Sequence, residues 1–102
     1  MLTSKQRAFL RKLSQQEEPL LMIGKNGPGE ESKRHIEDML PGRELVKVSL
    51  LKSCSEDARQ VAAELARATG SEVVSVVGRR FVLYRHSRKL AEKGKAIILP
   101  NR

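Results

Sequence analysis

The residues whose types and spacing could do chemistry begin at Gly24-Lys25-Asn26-Gly27, between the apolar run Leu20-Leu21-Met22-Ile23 and Pro28. The chemistry would be non-covalent contact with a phosphate or with another backbone. Glycine at each end permits φ > 0 and close approach, while Lys25 and Asn26 supply a cation and an amide. A helix starting just after the loop would aim its unpaired N–H groups and positive dipole end at the same place. Asn-Gly is also a hairpin signal. Residues Pro28-Gly29-Glu30-Glu31-Ser32-Lys33-Arg34, however, do not alternate as a second strand would, which favours a strand-to-helix loop. Glu30 and Glu31 count against a phosphate nearby: either they point away, or the loop is less electropositive than its lysine suggests.

The basic residues point to a polyanionic partner through their distribution. The formal charge is +8. Residues 1–14 carry Lys5, Arg7, Arg11 and Lys12 with no acid, and residues 15–72 hold eight basic against eleven acidic side chains. Residues 73–102 hold Arg79, Arg80, Arg85, Arg88, Lys89, Lys93, Lys95 and Arg102 against Glu92 alone. A merely solvated surface mixes signs, as the middle of this chain does; two segregated basic segments favour nucleic acid. Only Phe9, Phe81 and Tyr84 are aromatic, too few for a base-stacking platform.

Converging reactive groups are missing from the pattern. His35 and His86 are isolated, with no cysteine or histidine at metal-ligand spacing. No G-x-S-x-G occurs, and the glycine loop matches neither the P-loop nor the dinucleotide fingerprint. The acidic pairs Glu17-Glu18, Glu30-Glu31, Glu37-Asp38 and Glu56-Asp57 are sequence neighbours that diverge on a helix, and they read as solvated faces. The single Cys54 fits a reducing compartment and reads as an inert thiol near a helix start. These features lead us to expect a binding module with no catalytic residue, metal, cofactor or small-molecule substrate. With apolar runs of only about four residues, we expect no membrane association and a cytoplasmic location.

The elements that must position these residues can be read in order. Thr3 and Gln6 have capping-box spacing and open a helix that fades around Ser14 to Gln16, ahead of Pro19. At about 100° per residue, Leu2, Phe9, Leu10 and Leu13 fall on one side and Arg7 and Arg11 on the other. That predicts an apolar docking face and a basic face for water or phosphate. Leu20 to Ile23 reads as a strand. Pro28 suits the first turn of a second helix bearing Ile36, Met39 and Leu40, ended by Pro41-Gly42. Glu44 to Leu51 alternates in its centre, predicting a strand with Val46, Val48 and Leu50 on one side.

Ser53 and Glu56 again have capping-box spacing, predicting a helix to about Thr69 that Gly70 stops, with Ala58, Val61, Ala62, Leu65 and Ala68 in one stripe. Val73 to Val77 and Arg80 to Arg85 are β-rich runs joined at Gly78-Arg79, where leading glycine fits a type II′ turn. His86 to Lys95 predicts a loop or short helical turn, and Ala96 to Pro100 a last extended piece at a sheet edge. The fold class is α/β: one domain over 1–102, a four-stranded mixed sheet packed with helices in the order α-β-α-β-α-β-β, with a basic loop and tail over 86–102. Strand order, and with it the face taken by the second and third helices, stays open.

Several of these pieces together resemble the CRM domain in its stand-alone bacterial YhbY type. They are Thr3-Ser4-Lys5-Gln6-Arg7, Gly24-Lys25-Asn26-Gly27, Glu44-Leu45-Val46-Lys47-Val48, Thr69-Gly70, and the run from Val76 to Arg85. The resemblance implies a fold similar to the C-terminal domain of bacterial translation initiation factor three with an added N-terminal helix. It also implies RNA binding without catalysis, to precursors of the large ribosomal subunit. The family's loop maps onto Gly24, Lys25, Asn26 and Gly27, and its basic hairpin onto Arg79, Arg80 and Arg85. With Lys5, Arg7, Arg11 and Lys12 of the first helix, and Arg88 and Lys89 beyond the hairpin, these are the candidate RNA-binding residues. We expect a monomer whose partner is ribosomal RNA; the alternative is a protein-interaction module with acidic or ribosomal protein partners.

Overall fold

The computed structural model describes residues 2–101, so Arg102 of the basic tail lies outside the described residues. The elements are α1 (Ser4–Ser14), β1 (Leu21–Ile23), α2 (Glu30–Arg43), β2 (Leu45–Leu50), α3 (Ala58–Thr69), β3 (Glu72–Val77), β4 (Arg80–Tyr84) and α4 (Arg88–Glu92). The expected order is present, with α4 added in the segment read as a loop or helical turn.

One mixed sheet has the strand order β1-β2-β4-β3. β1 is parallel to β2, and β4 is antiparallel to both its neighbours. β3 therefore runs parallel to β2 with β4 between them. Both crossovers, β1-α2-β2 and β2-α3-β3, move the same way across the sheet, and right-handed connections then put α2 and α3 on one face. On that face Ile36 and Leu40 of α2 and Val61 and Leu65 of α3 pack with Val46, Val48, Leu50, Phe81 and Leu83 of the sheet. The opposite face carries a smaller core of Leu2, Leu10, Leu45, Val74, Val82 and Tyr84, covered in part by Ile97 and Leu99. Strand alternation sorts the two sets, since successive side chains take opposite faces.

Several boundaries differ from expectation for identifiable reasons. α1 is capped as predicted: Thr3 Oγ1 accepts from the Gln6 N–H and Gln6 Oε1 from the Thr3 N–H, a cap contributing about 1 kcal/mol. Its roll differs, however. Leu10 and Ser14 are buried, while Phe9 and Leu13 are 36% and 39% exposed, because Arg7 reaches across to the Val73 carbonyl and turns the helix toward β3. α2 starts at Glu30 behind Gly29, not at Pro28, and runs through Pro41 to Arg43. A proline in the last turn removes only one helical hydrogen bond. The stop is instead Glu44, whose φ of 64° is left-handed.

α3 leaves Ser53 unused as a cap; Asp57 accepts from the Gln60 N–H at 3.2 Å and the helix begins at Ala58. Its buried stripe includes Ala66 and Thr69, with Ala68 exposed. Cys54 consequently lies in a loop, buried in the larger core. The hairpin turns as predicted: Gly78 has a φ of 60° and Arg79 keeps a negative one, as type II′ requires. A register shift between Val73 and Ser75 lets Val74 join the smaller core. Ala96 to Pro100 forms no strand; Ile97 and Leu99 pack on the sheet while Ile98 faces solvent.

Candidate nucleic-acid interface

The glycine loop is a tight turn between β1 and α2, closed by the Gly27 N–H donating to the Gly24 carbonyl at 2.9 Å. Gly27 has a φ of 69°, and a Cβ there would lie 2.5 Å from Glu56 Oε2. At Gly24 the constraint is proximity: a Cβ would meet Ser53 Oγ at 3.3 Å and Leu51 Cδ1 at 3.4 Å. What both glycines approach is thus the side chains of the protein's own β2–α3 loop. Lys25 and Asn26 are exposed at the turn. The turn lines a cavity of about 410 Å³ shared with Glu30, Glu31 and His35. Glu30 and Glu31, both exposed, thus stand beside the turn. With Glu56 against Gly27, the loop sets several carboxylates beside its one ammonium and is weakly electropositive at best.

Arg79 holds the loop on which the glycines rest. Its guanidinium donates to the Leu51 carbonyl at 3.2 Å, the Glu56 carbonyl at 3.1 Å and the Cys54 carbonyl. Arg85 is likewise engaged, through Nη1 to Glu37 Oε2 at 3.1 Å and to the Thr69 carbonyl at 2.7 Å, tying α2 to the end of α3. Arg7 Nε donates to the Val73 carbonyl at 3.3 Å. Among the described residues, the side chains of Lys5, Arg11, Lys12, Lys25, Arg80, Arg88 and Lys89 make no hydrogen bond or ion pair with the protein. The structure thus divides the sequence candidates into internal ties and uncommitted cations.

The candidates also divide by position. The Leu50 N–H donates to the Arg79 carbonyl at 2.7 Å and the Leu51 N–H to the Ile23 carbonyl at 2.8 Å. The hairpin tip, the end of β2 and the glycine loop therefore share one end of the sheet. Arg11 reaches toward this end and lines a groove with Lys47 and Arg80. Arg85, Arg88 and Lys89 follow the other end of β4.

Two features escaped sequence reasoning. Lys47 faces the α1 side, and its Nζ donates to the Ser14 and Glu17 carbonyls at 3.3 Å each, fastening the end of α1. Its signal was available, because period-two alternation puts it opposite Val46 and Val48. Glu44, read as the start of a strand, is fully buried. Its carboxylate accepts from the Ser87 N–H at 2.7 Å and the Ile97 N–H at 2.6 Å, with His86 Nδ1 3.3 Å away. No residue pattern marks a lone glutamate after Pro-Gly as the anchor of the chain's last segment. Burial, Glu44 and Glu72 together raise the Tyr84 phenol above its ordinary value of 10.0. Among the described residues no group of three or more His, Cys, Asp or Glu side chains could hold a metal ion, and no helix is long and apolar enough to cross a membrane.

Residues 2–85 match the family model of the CRS1/YhbY (CRM) domain. The chain is 38% identical over 100 residues to Probable RNA-binding protein YqeI of Bacillus subtilis, covering 98% of this chain and all of that protein. It is 33% identical over 88 residues to a protein of Haemophilus influenzae named RNA-binding protein, covering 86% of this chain and 89% of the relative. A solution structure of a hypothetical protein from Staphylococcus aureus, described as a candidate RNA-binding protein, superposes with a TM-score of 0.79 at 41% identity, over 98% of this chain and all of that one.

Proposed function

The chain belongs to the CRS1/YhbY (CRM) domain family, and on that premise we propose that it is a non-catalytic RNA-binding protein of large-ribosomal-subunit assembly, acting as a cytoplasmic monomer. The observation that carries the reading is the set of uncommitted cations, of which Arg11, Lys25 and Arg80 lie toward the glycine-turn end of the sheet. Arg11 and Arg80 converge on one groove, Lys12 lies on the same helix as Arg11, and the hairpin tip adjoins the loop. Structured RNA presents phosphates and 2′-hydroxyls over a wide surface, and separated cations of this kind suit it. Gly24 to Gly27 serves as the point of close approach, while Arg7, Arg79 and Arg85 act indirectly by holding the scaffold.

The test is affinity for ribosomal RNA fragments at two salt concentrations. Binding through several phosphates should weaken by orders of magnitude between about 50 and 200 mM salt. A flat response, or retention of a protein rather than RNA after nuclease treatment of the purified material, would count against the proposal.

A further inference from the structure

We propose that the groove between α1 and the open part of the sheet seats one unpaired nucleotide of an RNA strand, and that this groove, more than the glycine turn, supplies the electrostatic grip. The inference rests on the RNA-binding reading and specifies where and what that surface holds. The groove encloses about 220 Å³, below the roughly 300–1,000 Å³ of pockets for drug-sized ligands. It therefore suits a fragment the size of a base with its phosphate. Arg11, Lys47 and Arg80 line it, and among the described residues no acidic side chain does. Of these, Arg11 and Arg80 carry guanidinium groups free of protein partners, whereas the Lys47 ammonium is engaged by the carbonyls at the end of α1.

Its floor is different in kind. Val77, beside the buried Val82, contributes apolar surface, which offers nothing to a phosphate but accepts the face of a base. Guanidinium planes can also stack on such a base. Duplex RNA keeps its base faces stacked inside, so the combination of apolar floor and cationic rim selects a nucleotide splayed from a loop or bulge. The strand also has a path onward. Register places Met22 opposite Ser49, Ser49 opposite Arg80, and Arg80 opposite Val77, one row across the sheet. Met22 is 58% exposed at the end of that row and lines the glycine-turn cavity as well. The next nucleotide would thus be led to Gly24 to Gly27.

The full chain should be titrated with uridine 5′-monophosphate and, separately, with inorganic phosphate, following backbone amide resonances. The proposal expects saturable shifts at Ser75, Val77 and Arg80 with the nucleotide and weaker ones with phosphate. Val77 is 70% exposed, so Val77→Glu should fold normally. It should abolish those shifts and weaken binding of a single-stranded RNA oligonucleotide about tenfold or more, as should Arg80→Ala, while Arg59→Ala on the outer side of α3 should not. If the wild-type chain binds RNA and Val77→Glu and Arg80→Ala bind it equally well, or if nucleotide shifts are confined to the glycine turn, the groove proposal is overturned and the RNA-binding reading survives. If the wild-type chain binds neither oligonucleotide nor ribosomal RNA fragments, both are overturned. Equal shifts with phosphate and nucleotide would remove the base seat.

Discussion

Gly27 is the position where one atom has the clearest cost. Gly27→Ala adds a Cβ in a left-handed conformation and drives it against Glu56. We expect a loss of about 1–2 kcal/mol from the backbone alone, read by urea unfolding, and Gly27→Ala/Glu56→Ala should recover only the clash. Glu44→Ala leaves the Ser87 and Ile97 N–H groups without their carboxylate. Charge-assisted hydrogen bonds contribute roughly 1.5–3 kcal/mol each, so a destabilisation of about 3 kcal/mol or more, with faster amide exchange at both positions, is the expected outcome. Tyr84 is the chain's only tyrosine, and there is no tryptophan, so phenolate absorbance reports it cleanly. Its midpoint should lie above 10.0 in the folded chain and fall on unfolding. A raised value means that its share of stability is intact below the ordinary tyrosine range and is lost as pH rises through the folded value. At this scale glycine was legible because its freedom is a property of the residue itself. Glu44 was not, because its burial depends on a segment more than forty residues away meeting it.

At the scale of an element, one side chain can hold a whole loop. Arg79→Ala removes the donors shared by the Leu51, Cys54 and Glu56 carbonyls. Amide exchange should rise about tenfold or more across residues 51–57, and also at Gly27, which rests on that loop. Arg79→Lys keeps the charge but cannot serve divergent carbonyls with a planar fork, so it should not restore protection. Elements were readable where a local signal acts alone: the Thr3 cap, the Gly70 stop and the Gly78 turn stand where expected. Readings failed where tertiary contacts outvoted such a signal. Pro41 lies inside α2 because the helix continues to Glu44, which packing holds. Phe9 and Leu13 stay exposed because Arg7 and Lys47 set the roll of α1.

Across the whole molecule, the excess charge at the chain's two ends resolves into surfaces with different tasks. Removing an uncommitted cation such as Arg80 should lower the slope of log affinity against log salt by about 0.7–0.9 for each phosphate it had neutralised. Arg85→Ala should leave that slope near the wild-type value while lowering stability, since its guanidinium is tied to Glu37 and Thr69. Composition showed that the cations were there, but not which were already occupied, because occupancy depends on carbonyls brought close only by folding. Strand order was equally hidden: local pattern names strands but not their neighbours. That order also bears on how the protein is made. The last strand to be synthesised, β4, fills the gap between β2 and β3. A ribosome that has released the chain only as far as Val77 has delivered three strands and no continuous sheet. The cationic groove therefore cannot exist on a growing chain until β4 has left the ribosome.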